Sequence, residues 1–150
     1  MPGLNLLRKL LNDVPTRLGK LESGKIESKP AAGWSPKEEL GHLLDSAANN
    51  HQRIVRTQLE DNPAMPGYDG ERWVELHRYR QRDWRDLIER WRILNQQLLA
   101  AAEAVPGSAW PRTCTIDGSK PLTLKFVFDD YLDHMLHHLG HIGIEVNDLK

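Results

Sequence analysis

The segment Leu132-Asp133-His134-Met135-Leu136-His137-His138-Leu139-Gly140-His141-Ile142 holds four of the chain's seven histidines. Leu132, Met135, Leu139 and Ile142, continued by Val146, recur at alternating three- and four-residue intervals. That is the period of an α-helix with one apolar face turned to a core. The spacing predicts a last helix from roughly Leu124 to Val146. On it His134/His138 and His137/His141 form two pairs, each one turn apart. Two imidazoles held that way can grip one metal ion with a third ligand from elsewhere, and a coordination position left open makes such a site catalytic rather than structural. At ~100° per residue, His138 falls roughly a quarter-turn from the centre of the apolar stripe, with His134 further round the same flank. His137 falls nearly opposite, and His141 little better. Periodicity therefore prefers His134 and His138 as the inward pair, but modestly. Four flank histidines without metal remain the competing reading.

Working back towards the N-terminus, three more amphipathic segments appear. The third helix is predicted from Glu71 to Val105, with Trp84, Leu87, Ile88, Trp91, Leu94, Leu98 and Ala101 as its apolar stripe and Pro106-Gly107 as its stop. The second starts at a capping box, Ser35-Pro36-Lys37-Glu38, with proline in the first helical position. It runs to about Leu59 through Leu40, Leu44, Ala47, His51, Ile54 and Val55, and Asp61-Asn62-Pro63 ends it. The first carries Leu4, Leu7, Leu10, Leu11 and Val14, and Pro15 is expected to break or bend it before Leu18 and Leu21. Residues 24–33 read as a loop. Thr113–Ile116 and Leu122–Leu124, separated by Asp117-Gly118, suggest a small hairpin. The expected fold is all-α: a four-helix bundle in a single domain spanning 1–150, with a short β-hairpin before the last helix and sites built between facing helices.

Composition narrows the function classes. A formal charge of −1 over 150 residues argues against a nucleic-acid or polybasic membrane surface. No apolar run approaches the ~18 residues that cross a bilayer. The N-terminus lacks a basic region followed by an apolar one, so no signal peptide is expected. The lone Cys114 cannot form an internal disulfide, which fits a reducing cytoplasm. A homodimer is expected from the Trp-rich third helix, whose apolar surface exceeds what one core needs.

A third ligand is not settled by spacing. On the second helix His51 lies on the apolar stripe and His42 on the polar side, so the helical wheel favours His51 as the buried one. A lone histidine among Ala47, Ile54 and Val55 is more often a hydrogen-bonded core residue than a ligand. His77, in an Arg-rich stretch, is expected to be exposed.

Gly33-Trp34-Ser35-Pro36-Lys37-Glu38-Glu39-Leu40-Gly41-His42-Leu43-Leu44-Asp45-Ser46 resembles the Trp-Ser-x₆-His-x₂-Asp-Ser signature of the DinB-like superfamily, in the branch of metal-dependent hydrolases and bacillithiol transferases. Asn50-His51-Gln52-Arg53 and Pro66-Gly67-Tyr68-Asp69-Gly70-Glu71-Arg72-Trp73 are also similar to that branch. The closing run resembles its His-x₂-His-His-x₂-Gln-Ile ending, with His141 standing where glutamine is usual. The resemblance implies a DinB-like bundle whose metal ligands are His42, His134 and His138, against the wheel's choice of His51. It implies a divalent metal ion, zinc or nickel, and a small-molecule substrate. A low-molecular-weight thiol is the implied co-substrate if the chemistry is transfer rather than hydrolysis.

Around that implied site, Asp45 stands one turn beyond His42 and is expected to orient an imidazole or to be a surface carboxylate. His141 could compete for metal or shuttle protons. Arg53 could meet an anionic substrate or thiol carboxylate, or make a surface ion pair. Glu38 is expected to be occupied by the capping box, Trp34 to pack the helix start and Cys114 to be inert. Three neutral nitrogens leave a divalent charge uncancelled, so a bound water or thiol is acidified. The expectation is a thiol S-transferase or hydrolase. The alternative is a non-catalytic stress-response bundle whose metal site is vestigial.

Overall fold

A computed structural model describes residues 1–149 of the chain. Four long helices make the bundle: α1 (Pro2–Gly19), α3 (Pro36–Leu59), α5 (Trp84–Glu103) and α6 (Leu124–Ile142), with short α2 (Ser23–Glu27) and α4 (Gly70–His77) between them. The central element is α3, which packs against both α5 and α6, while α1 packs on α5. Its start is the predicted capping box. Ser35 Oγ accepts from the Glu38 amide at 3.3 Å, and Glu38 Oε2 accepts from the Ser35 amide at 2.8 Å. Its far end is closed by Arg112, whose guanidinium donates to the carbonyls of Thr57 and Glu60 at 2.8 and 2.7 Å. A cation there also meets the negative end of the helix dipole.

The predicted hairpin is present. Strand β2 (Thr113–Ile116) pairs antiparallel with β3 (Leu122–Thr123), pairing Thr113 with Thr123 and Cys114 with Leu122. Asp117 and Gly118 turn it with φ of 51° and 71°. The pattern did not show a third strand, β1 (Ala64–Met65), which lies parallel to β2. This small sheet ties the loop after α3 to the approach to α6.

Several expectations change. The first helix is one continuous run through Pro15, because Leu7, Leu10, Val14 and Leu18 are all buried on one face and packing outweighs the lost backbone bond. The loop at 24–33 contains α2 at its start. The long third helix is two: α4 ends at Arg78, left-handed with φ 51°, and α5 begins afresh where Asp83 accepts from the Asp86 amide at 2.9 Å. The last helix stops at Ile142 because Gly143 adopts φ 89° and reverses the chain. On α5, Trp84 and Trp91 are buried within the single chain, while Ile93 stands exposed. Among the described residues, no helix is long and apolar enough to cross a membrane.

Candidate metal centre

Residues Glu39 to Ala47 are buried without exception. Here α3 is enclosed on all sides, with α6, α5, α4 and α2 packed against it. A helical wheel assumes one solvated face, and this stretch has none. That is why His42, on the nominally polar side, is 7 % exposed, while His51, on the nominal stripe, is only half-buried.

His42 meets His134 and His138 across the α3/α6 interface. Each of the three offers a ring nitrogen, and these nitrogens all lie within 4.8 Å of one another. The Nε2 atoms of His42 and His134 are 2.9 Å apart, and ring centroids are 4.9, 4.6 and 4.5 Å apart around the triangle. Nitrogens bound tetrahedrally at ~2.0–2.1 Å would stand roughly 3.3 Å from one another. The cluster fits a single small cation with modest adjustment. Burial and the neighbouring imidazoles push His42 down to about 3, and burial with the charges of His138 and His137 pushes His134 down to about 4. Both are therefore neutral near pH 7, as ligands must be.

The remaining nitrogens are held from behind. His138 Nδ1 lies 2.6 Å from Glu39 Oε2, and His134 Nδ1 lies 3.3 Å from Ser46 Oγ. An imidazole whose Nδ1–H is so engaged presents its Nε2 lone pair forward. Glu39 also reaches His141 Nδ1 at 3.3 Å. Glu39, His138 and His141 form a second group of potential ligands within 4.8 Å. The Glu39–His138 contact, at 2.6 Å, is a charge-assisted hydrogen-bond length, so Glu39 reads as the group that orients His138. The Gly70 backbone lies over His42: a Cβ there would sit 3.0 Å from Cε1 and 3.2 Å from Nδ1. That Nδ1 is buried and has no partner.

Trp34 stands over the triangle, its ring 4.8 Å from His42 and 6.1 Å from His138, so it does more than pack the helix start. Beside it a cavity of about 450 Å³ reaches His138 and Glu39. Tyr68 closes another side, its ring 6.4 Å from His42, and burial raises its pKa so that the phenol stays protonated.

The other sequence candidates fall elsewhere. Asp45 does not orient His42. It is 3 % exposed and accepts from Tyr79 Oη at 2.5 Å, with His77 Nδ1 at 3.1 Å. Gly41 permits this, since a Cβ there would lie 2.1 Å from the Tyr79 ring, which crosses α3 at that point. His77 is exposed, as expected, yet it is tied to a buried carboxylate. Arg53 is half-buried and lines a separate cavity of about 150 Å³ with Met65 and Pro66. It connects to the triangle through Asn50 and Ser46, each link 3.3 Å. His137 and His141 are exposed, and Cys114 is fully buried. Sequence reasoning missed Glu39, Ser46 and Tyr68. Glu39 and Ser46 stand three before and four after His42, a helical spacing that could have nominated both.

The chain is a four-helix bundle whose central and last helices bring together three imidazoles that could hold a metal ion. The chain belongs to the DinB superfamily, whose family model matches residues 5–142. Three relatives named "Putative metal-dependent hydrolase" are similar to it. YfiT from Bacillus subtilis is 27 % identical over 146 residues, covering 89 % of this chain and 79 % of its own. OB0782 from Oceanobacillus iheyensis is 27 % identical over 114 residues, covering 75 % and 64 %. BH0277 from Halalkalibacterium halodurans is 26 % identical over 145 residues, covering 93 % and 80 %. The solved structure of B. subtilis YfiT, described as an unusual four-helix bundle topology, superposes with a TM-score of 0.80 at 23 % identity, over 92 % of this chain and 82 % of that one.

Proposed function

We propose that the chain is a metal-dependent enzyme that activates water or a low-molecular-weight thiol against an electrophilic small molecule, as a hydrolase or thiol S-transferase. The observation that carries this reading is the meeting of His42, His134 and His138 beside an open cavity, with His42 and His134 neutral and with His134 and His138 held from behind. The names of the relatives point the same way. A divalent cation, zinc or nickel, bound by the three imidazoles supplies Lewis acidity that lowers the pKa of water or thiol.

The chain's own residues do the rest. Glu39 fixes His138 in the tautomer that presents Nε2, and Ser46 does the same for His134. Trp34 and the Gly70 backbone keep bulk water from His42, which strengthens every charge interaction inside. Tyr68, held protonated, is a donor for charge developing on an electrophile. His141, exposed and linked through Glu39 to His138, is positioned to pass protons to solvent.

Hydrolysis and thiol transfer separate in one experiment. Protein purified without added metal is assayed for bound metal, then for turnover of an electrophilic dye with and without added thiol. Thiol-dependent turnover that disappears in His138→Ala supports transfer, and thiol-independent turnover that disappears in the same variant supports hydrolysis. Equal, near-zero metal in the parent and His138→Ala proteins would remove the enzymatic reading in favour of a non-catalytic bundle.

A further inference from the structure

A second cavity, of about 430 Å³, lies on another flank of α3, lined by Leu44, Asp45, Ala48, Trp73, His77, Tyr79, Arg82, Leu87, Arg90, Ile93 and Leu94. It shares no lining residue with the cavity at the metal centre. Its wall is mainly apolar, part aliphatic and part aromatic, and Ile93 stands 49 % exposed within it. Behind that wall is an arrangement packing does not require. The Asp45 carboxylate is buried, with one oxygen holding Tyr79 and His77 and the other without a partner. An unsatisfied buried carboxylate oxygen destabilises a fold, and such groups are commonly retained where they serve a site. Here Asp45 fixes His77 through Nδ1 at the cavity wall and leaves its Nε2 uncommitted.

The charge facing a ligand is positive. Asp45 Oδ2 is shielded by the protein, and Oδ1 is occupied. Among the described residues Arg82 has no ion-pair partner, and the one hydrogen bond of its side chain is a long 3.4 Å bond to the His77 carbonyl. Arg90 is shared with Asp86 at 2.8 Å. One free guanidinium fork beside an apolar wall matches one carboxylate on an apolar body.

We propose that this cavity is a second ligand site, independent of the metal centre, that takes a small carboxylic acid with an aromatic or aliphatic body, its carboxylate on Arg82. Calorimetry on the full chain with hydrocinnamate, hydrocinnamyl alcohol and hydrocinnamyl amine tests it, since the three probes share one body. Hydrocinnamate is expected to saturate, with the alcohol about tenfold weaker and the amine weaker still. Arg82→Gln, at an exposed position, is expected to erase the preference for the acid while leaving bound metal unchanged. His138→Ala is expected to leave hydrocinnamate binding intact, because a carboxylate seated on the metal would lose it. Absence of saturable binding, equal affinity for acid and alcohol, retention of the preference in Arg82→Gln, or loss of binding in His138→Ala would each overturn the assignment.

Discussion

His134 and His138 share a helix, a spacing and a residue type with His137 and His141. Yet the first pair lies half-buried at the α3 interface, and the second faces solvent. Nothing intrinsic to the His-x₃-His unit separates them. The difference is what stands opposite. The inward pair faces a stretch of α3 that supplies His42, Glu39 and Ser46, while the outward pair has only the Glu39 contact to His141. A metal-ligand spacing is thus a property of one helix, and a metal centre is a property of two.

The largest way to break that comparison is to exchange which pair is removed. His42→Ala, His134→Ala or His138→Ala is expected to drop retained metal to below about a tenth of the parent's, while His137→Ala leaves it unchanged, as read by elemental analysis. Metal retained equally in all four would mean that the pairs are equivalent. Next in size is the support behind His138. Glu39→Gln is expected to weaken metal affinity about 10–100-fold, the usual range when an orienting partner is lost. His141→Ala, which removes the outward ring but spares Glu39, should change it by less than about threefold in the same competition titration.

A smaller effect tests the enclosure of α3. Gly41→Ala forces a methyl group into the Tyr79 ring, at 2.1 Å. Overpacking of that kind costs about 1–3 kcal/mol and should lower the melting temperature by several degrees. Gly140→Ala, on the outward side of α6 where a Cβ meets nothing within 4 Å, should not lower it. The same enclosure shows in pH. Unfolded imidazoles take up protons below about 6.5, whereas His134 and His42 resist protonation in the fold until about 4 and about 3. The unfolded chain then binds more protons, so metal-free protein should lose stability as pH falls from about 6.5 towards 3. Denaturant titrations across that range should show the slope flattening in a His42→Gln/His134→Gln variant and persisting in His137→Gln/His141→Gln.

The helices of the bundle were legible because each long one carries its own apolar stripe, and the capping box at Ser35 marked one start to the residue. The hairpin was legible from Asp117-Gly118. The split between α4 and α5 was not, since it depends on a left-handed Arg78, a residue type with no local preference for that conformation. Of the site, periodicity gave the inward pair on α6 a modest preference and left flank histidines without metal as the competing reading. His42 came only through the family resemblance, because its burial depends on neighbours wrapped around α3 from distant parts of the chain. Asp45 shows the same limit. Its spacing from His42 suggested an orienting role there, but Tyr79, brought in by the turn after α4, holds it elsewhere.

X-ray absorption on protein loaded with one equivalent of zinc tests the centre most directly. Three imidazole nitrogens at about 2.0–2.1 Å, with light-atom scattering for the remaining position, are predicted. A sulfur shell at about 2.3 Å, which only Cys114 could supply as thiolate, or fewer than two imidazoles, would contradict a centre built from His42, His134 and His138.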